Sequence, residues 1–273
     1  MLSDEELERY QRHILLKEVG GAGQAKLGKS RVLVVGAGGL GAPVLLYLAA
    51  AGVGTLTIID DDTVALSNLQ RQIIHSTATV ATPKTESARE AVLRLNPNTR
   101  VVAVQQRLTA ANALELVGGQ DIVVDGCDNF ATRFLVSDAC YFARRPLVSA
   151  AVGQFDGQIA TFKPYLAAPD GTPYPGYRCW LPQAPPDGVV PSCEEAGILG
   201  ALTGIIGSMQ ALEVLKELLG IGTSLAGRML LYDALDARCR IITLPWRADN
   251  PLTGHNPTIH DLSVHAEQVK RRS

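Results

Sequence analysis

The chain has 273 residues, 47% of them apolar, and a formal net charge of −2. That is enough to bury the core of one large α/β domain or two small ones, without the basic excess of a general nucleic-acid binder. Every run long enough to span a bilayer is broken by charged or strongly polar residues, and the N-terminus, Met1 to Leu16, carries Asp4, Glu5, Glu6, Glu8 and Arg9 where a secretory signal needs a basic start and an apolar stretch; a cytoplasmic protein is expected, with no membrane partner.

Residues 3–18 read as an amphipathic helix, with Ser3 and Glu6 as a capping box and Leu7, Tyr10 and Ile14 at helical spacing. A polar link containing Gly20, Gly21, Gly23 and Gly28 follows. Val32–Val35 is a β-branched strand ending at Gly36, and the apolar Gly41–Ala51 reads as a helix. Leu56–Ile59 is a second strand ending at Asp60; Thr82 and Pro83 cap and start a helix through Leu95. Then come a strand at Val101–Val104, a helix at Ala110–Val117, a strand at Ile122–Val124, a helix at Asn129–Ala143 and a strand at Leu147–Ala151. Strands rich in valine and isoleucine, unbroken by polar positions and separated by helices, predict a Rossmann-like, doubly wound, mostly parallel sheet. Beyond residue 150 the pattern changes: Gln158–Phe162 is a hairpin or edge strand, 164–195 is a Pro- and Gly-rich connection, Ala196–Leu219 is a long helix, and Met229–Tyr232 and Arg240–Leu244 are two last strands. The C-terminal half is thus elaborated, with antiparallel strands, and the tail 245–273 reads as irregular.

Gly36-Ala37-Gly38-Gly39-Leu40-Gly41 follows a strand and opens a helix, matching the Gly-x-Gly-x-x-Gly fingerprint in its required context. Glycine lets the turn close and a nucleotide approach the backbone, with phosphate at the helix N-terminus. Asp60, 19 residues beyond Gly41 at the end of the second strand, stands where a carboxylate accepts ribose hydroxyls. The motif alone fits NAD, FAD and ATP equally. Ser67-Asn68-Leu69-Gln70-Arg71-Gln72 and Thr82-Pro83-Lys84 come next. A dehydrogenase has no use for an arginine and a lysine beside the ribose carboxylate, whereas a triphosphate needs cations where charge builds on the attacked phosphorus and the leaving pyrophosphate. Each cation taken singly reads as a solvated surface charge; together, behind Asp60, they favour ATP.

Arg9-Tyr10-Gln11-Arg12-His13, the glycine loop, Ala51-Gly52-Val53-Gly54, the Ser67–Gln72 segment, Pro83-Lys84, Asp128-Asn129 with Arg133, and Glu195-Ala196-Gly197 occur in that order. This series resembles the bacterial branch of the ubiquitin-activating-enzyme superfamily, the MoeB/ThiF family of molybdopterin-synthase and thiamine-biosynthesis adenylyltransferases, over roughly residues 5–244. The resemblance implies one ATP-binding domain over 1–244, with a nucleotide-binding half at 30–151 and a carrier-binding half at 152–244. It implies that ATP and Mg2+ are used to adenylylate the C-terminal carboxylate of a small ubiquitin-like sulfur carrier, releasing pyrophosphate. By the same resemblance Gly36, Gly38, Gly39 and Gly41 cradle the nucleotide, Asp60 holds the ribose, and Asn68, Arg71 and Lys84 hold the phosphates. Arg12 would reach the partner's site in a homodimer, and Asp128 would bind magnesium or orient the nucleotide. Asp128 also reads as an Asx cap on the helix that follows it, and the two roles are compatible.

The first step needs no protein nucleophile, because the carrier's carboxylate is already ionised at neutral pH. Cys193, in Pro191-Ser192-Cys193-Glu194-Glu195-Ala196, is the candidate thiol for a sulfur- or acyl-transfer step, with a persulfide donor as a further partner; a plain loop cysteine is the alternative. A helix N-terminus lowers a thiol pKa, while Glu194 and Glu195 raise it. Cys127, Cys140 and Cys239 read as small hydrophobes in or beside core elements. Many members of the family bind zinc through two Cys-x-x-Cys pairs. Gly176-Tyr177-Arg178-Cys179 keeps one cysteine and Asn250-Pro251-Leu252-Thr253-Gly254-His255 none, and the odd cysteine count of five gives no other set; no zinc site is expected. Other readings of the same loop are an NAD- or FAD-dependent oxidoreductase, which leaves Arg12, Arg71 and Lys84 unexplained, and a non-catalytic partner subunit of a heterodimeric activating enzyme, which usually loses those cations. A dehydrating enzyme on a modified tRNA base would want a basic stripe. The pattern fits carriers of molybdopterin synthesis, thiamine synthesis and tRNA thiolation alike.

Overall fold

Alternation along two central strands builds both faces of the sheet at once. In β1 (Arg31–Val35), Val32 and Val34 pack into one hydrophobic cluster while Leu33 and Val35 pack into a second. In β4 (Ile122–Asp125), Ile122 and Val124 join the first and Val123 the second. A strand buried on both faces cannot alternate apolar with polar, which is why these segments read as unbroken valine and isoleucine. The computed structural model, which describes residues 2–186 and 196–270, arranges eight strands in the order β3-β2-β1-β4-β5-β6-β7-β8. Here β2 is Thr55–Ile59, β3 is Arg100–Val104 and β5 is Leu147–Val152, all parallel to β1 and β4. The antiparallel extension is β6 (Asp156–Phe162), β7 (Arg228–Asp233) and β8 (Arg238–Thr243).

Helices cover both faces. The first cluster takes α4 (Gly41–Ala50), α5 (Lys84–Leu95) and α9 (Gly200–Leu219), through residues such as Leu45, Leu48, Val92, Leu202 and Ile206. The second takes α6 (Ala113–Gly118), α7 (Phe130–Phe142) and the short α8 (Tyr177–Trp180), through Val117, Phe134, Val136 and Tyr177. β1 feeds β2 and β3 on one side, while β4 and β5 continue on the other. The strand order therefore reverses between β1 and β4, and a crevice opens there beyond the carboxyl ends of the strands.

The N-terminal segment departs from the single helix expected over residues 3–18. Two short helices form instead, α1 (Asp4–Arg9) with its Ser3–Glu6 capping box and α2 (Gln11–Ile14), and the break falls at Tyr10. Tyr10 turns inward, is 5% exposed, and its hydroxyl accepts from Asn96 Nδ2 at 2.8 Å. Burying an aromatic ring with its hydroxyl satisfied outweighs the few tenths of a kcal/mol per residue that helix continuity offers. The tyrosine ring fills the space a side chain at Gly52 would need, and Gly52 sits at φ +82°. The glycine-rich link is also a helix, α3 (Gly20–Leu27). Its poor propensity is overridden by burial of Leu27 and of Gln24, whose Nε2 donates to Ala51 O at 2.8 Å.

The tail expected to be irregular ends in α10 (Ser263–Lys270) and is packed on the body. Arg178 forks onto Asp138, Nε to Oδ1 at 2.9 Å and Nη2 to Oδ2 at 2.7 Å, and His265 Nε2 reaches the same Oδ2 at 2.8 Å. All three are buried, so removing one partner would strand charge in the interior at a cost of about 3–5 kcal/mol. This polar clamp gives the segment no apolar period, which is why it reads as irregular. Cys239, expected beside the core, is exposed, because β8 is the edge strand of the sheet.

Candidate nucleotide cleft at the carboxyl edge of the sheet

Two loops meet at the reversal in strand order. After β1 the chain turns through Gly36 at φ +94°, a conformation that favours glycine. A side chain on Gly41, the first residue of α4, would overlap the Gly36 carbonyl. After β4 the chain passes Gly126, whose N–H donates to Val35 O at 2.9 Å, so the two loops are joined back to back. The cleft is lined by Gly36, Gly38 and Gly39 from the first loop and Cys127, Asp128 and Asn129 from the second, with Asp60 at its side.

Asp60 is tied into the glycine loop. Its Oδ2 accepts the Ala37 N–H at 2.8 Å and its Oδ1 the Asp62 N–H at 2.9 Å. Burial pushes its pKa up from the ordinary carboxylate value, opposed by the Ala37 N–H and by Lys84. The other side of the Ala37 peptide is held by buried His75, Nε2 to Ala37 O at 2.9 Å, with Nδ1 2.9 Å from Ser87 Oγ. A carbonyl only accepts, so Nε2 carries the proton. Burial lowers the His75 pKa, the Ala37 bond opposes this, and Lys84 lowers it further.

The expected phosphate cations converge. Arg71 and Lys84 both line the cleft. Arg71 Nη1 donates to Ser67 O at 3.2 Å, and Lys84 Nζ pairs with Asp62 Oδ2 at 2.8 Å. Asn68 instead secures its own loop. It is 7% exposed, its Oδ1 accepts the Ala65 N–H at 3.0 Å, and it does not line the cleft. Asp128 is exposed to the cleft, with the Asn129 Nδ2 at 3.5 Å. The cap of α7 is Asn129, which accepts the Thr132 N–H at 2.9 Å, so Asp128 is not spent on capping. Arg12 is exposed on α2 and does not line the cleft of its own chain. Cys193 lies outside the described residues.

The walls include Gln72, quoted with its segment but given no role, and groups that sequence reasoning passed over: Asp62, Gln106, Arg107 and Thr203. Asp62 could have been flagged by its place two residues past Asp60. Thr203 had no such signal, since it reaches the cleft only because α9 crosses β4 and β5, where its Oγ1 lies 2.8 Å from Gly200 O. At the corner expected to lack zinc, Cys179 Sγ is buried and accepts from Asn250 Nδ2 at 3.0 Å, while Asn250 Oδ1 accepts the Leu252 and Thr253 N–H groups at 2.8 and 3.1 Å. Among the described residues, Cys179 meets one amide in place of the four ligands a structural zinc takes, and this corner does not fit the metal.

A mostly parallel sheet, a glycine loop opening a helix beside an acidic strand end, and a cleft at the strand-order reversal define a Rossmann-like protein. The chain belongs to the ThiF family, whose model matches residues 10–252. It is 49% identical over 259 residues to a protein named sulfur carrier protein adenylyltransferase from Thermus thermophilus, covering 94% of each chain. It is 49% identical over 249 residues to the SAMP-activating enzyme E1 of Haloferax volcanii, covering 91% of this chain and 89% of that one. A probable adenylyltransferase/sulfurtransferase, MoeZ of Mycobacterium tuberculosis, is 48% identical over 243 residues, and this chain spans 61% of its length. Among solved structures, PaaA aligns with a TM-score of 0.71 at 26% identity, over 89% of this chain and 75% of that one. E. coli MccB with ATP aligns with a TM-score of 0.74 at 16% identity, over 93% and 82%, a likeness of fold alone. Among the described residues, no helix is long and apolar enough to cross a membrane.

Proposed function

We propose that this chain is an ATP-dependent adenylyltransferase that activates the C-terminal carboxylate of a small ubiquitin-like sulfur-carrier protein. The observation that carries the reading is near-full-length identity of 49% to a relative bearing that name, with Arg71, Lys84, Asp60 and Asp128 drawn into one cleft. An oxidoreductase on the same loop would have no use for the two cations.

The nucleotide ribose lies on Asp60 and the phosphates follow the glycine loop toward Arg71 and Lys84. A carrier carboxylate oxygen attacks the α-phosphorus; the P–O bond to the bridging oxygen breaks and pyrophosphate leaves with that electron pair. No proton needs to move. The chain's residues hold the reacting groups in line and face developing negative charge with fixed cations. Magnesium, a hard cation that takes oxygen ligands, suits the exposed carboxylate of Asp128 and would neutralise phosphate charge when bound. Arg12, absent from the cleft of its own chain, serves a second copy's cleft in a homodimer. Cys193 and a persulfide donor belong to a later sulfur-transfer step. Carrier-dependent exchange of pyrophosphate into ATP tests the reading: exchange that appears only with carrier supports it, and exchange indifferent to carrier, or none, overturns it.

A further inference from the structure

Asp128 enters the cleft with little of its own to orient it. Asn129 Nδ2 stands 3.5 Å from Oδ1, a weak contact, and the carboxylate is exposed. Its place is set chiefly by the backbone that carries it, with the guanidinium of Arg133, which lines the same cleft, attracting its charge. That backbone is pinned by a buried ion pair that nothing in the proposed reaction uses.

The last residue of β4, Asp125, is fully buried. Its Oδ1 accepts the Cys127 N–H at 3.1 Å and the Cys127 Sγ–H at 2.6 Å. Its Oδ2 accepts the Ser149 hydroxyl at 2.6 Å and Arg133 Nη1 at 3.4 Å. Arg133 comes from the start of α7, its side chain only 8% exposed. Its Nη2 donates to Cys127 O at 2.6 Å and its Nη1 to Ala150 O at 2.7 Å. The N–H of Cys127 is thus held by the acid and its carbonyl by the base. The peptide planes before and after Cys127 are both fixed, and the next residue is Asp128. From the opposite face Gln210 Nε2 grips Asp125 O at 2.8 Å and Val148 O at 3.0 Å, tying the same strand end to α9. The pair also shapes its own chemistry: burial and Asp125 hold the Cys127 thiol protonated, its pKa well above the usual range, so it serves as a donor to the carboxylate rather than as a nucleophile.

We propose that Asp125 and Arg133 are positioning residues for the adenylylation reaction, a buried acid–base clamp on both sides of Cys127 that fixes where Asp128 stands in the cleft. The inference rests on the functional reading above. A salt bridge that merely stabilised the fold would not need both of its members to close on a single residue of the loop. A displacement of about 1 Å in a reacting group costs on the order of 10²-fold in rate.

The test uses the full chain with Asp125→Asn and Arg133→Lys, and Ser149→Ala as a comparison that removes one bond while keeping the ion pair. Asn keeps the size of Asp125 and turns an amide against the guanidinium; Lys keeps the charge of Arg133 and cannot span two carbonyls. Carrier-dependent pyrophosphate exchange is followed across ATP concentration, and backbone amide exchange across residues 126–129. The clamp predicts kcat reduced by about 10²-fold in both variants, a much smaller change in KM for ATP because Asp60, Arg71 and Lys84 keep their places, and faster amide exchange at 126–129 with the strands still protected. Ser149→Ala should lose far less. Normal kcat with unchanged amide exchange in either variant that folds would overturn the proposal, as would a loss confined to KM. If the wild-type chain shows no carrier-dependent exchange, the functional reading falls, while amide exchange still decides whether the loop depends on the clamp.

Discussion

Lys84 Nζ sits 2.8 Å from Asp62 Oδ2, and the two partners differ in exposure: the lysine side chain is 8% exposed and the aspartate 65%. The cation is fixed at the head of α5, and the anion facing it is the solvated partner. A pair with one exposed member is weak, about 0–1 kcal/mol, so under the proposed function phosphate oxygens would displace the carboxylate without a large penalty.

Lys84→Ala and Arg71→Ala should each lower carrier-dependent pyrophosphate exchange by about 10²–10³-fold, the loss seen when one fixed donor to developing charge is removed. Neither side chain holds the core together, so far-ultraviolet circular dichroism and the melting temperature should stay near wild type. Full exchange in either variant would show that the phosphates lie elsewhere.

His75 should make stability pH-dependent. Its pKa is lowered in the folded chain from the ordinary histidine value of 6.5, so between that value and the folded one the unfolded chain binds more protons. Stability then rises with pH in that window and is lost as pH falls below about 6.5. Asp60 has a raised pKa and works in the opposite sense, so the comparison must isolate the histidine. Urea denaturation of wild type and His75→Gln at several pH values between about 5 and 8 checks this, over a range centred on the ordinary histidine value. The difference between the two should grow as pH rises toward 6.5; a constant difference would mean that His75 is not held neutral.

Much of this architecture could be read from the amino acids, and the failures share one physical cause. Strands β1, β2 and β4 were legible because burial on both faces demands unbroken β-branched runs. The placement of Asp60 and Asp128 followed from strand ends, a property of chain order, while Arg71 and Lys84 were legible only as cations following Asp60 and through the family resemblance. The break at Tyr10, the helix at Gly20–Leu27 and the packed tail were not legible. Each depends on what a side chain meets across the fold: Asn96 for Tyr10, Ala51 for Gln24, Asp138 for His265. The same holds at the site. From the sequence Asp128 reads as the cap of the next helix, and only the backbone geometry gives the cap to Asn129. Asp125 falls just past the expected strand Ile122–Val124 and carries no role there until β5 and α7 bring Ser149 and Arg133 to it.

Protein purified without added metal should hold well under one zinc per chain, and a chelator should leave its melting temperature unchanged. Among the described residues Cys179 meets an amide, not three further ligands, and a structural site needs four. Stoichiometric zinc by elemental analysis, with destabilisation on chelation, would contradict this and direct attention to His255 and His260.

The shared-site model predicts complementation. An Arg12→Ala chain mixed with an Asp128→Ala chain, each inactive alone, should recover about a quarter of wild-type activity. Random reassortment makes half the dimers mixed, and each mixed dimer has one intact site of two. No recovery after verified subunit exchange, or an active monomer, would contradict it and leave Arg12 as a solvated charge on α2.

Activation of a carrier's C-terminus is tested most directly by the mass of the carrier itself. The chain is incubated with ATP, magnesium and each candidate small ubiquitin-like protein that its own genome encodes, and the carriers are weighed intact. The account predicts that at least one gains the mass of a single adenylyl group, that the gain vanishes with Lys84→Ala, and that it vanishes when the carrier's terminal carboxylate is amidated. An unmodified carrier in every pairing, or adenylylation that survives the loss of that carboxylate, would contradict it.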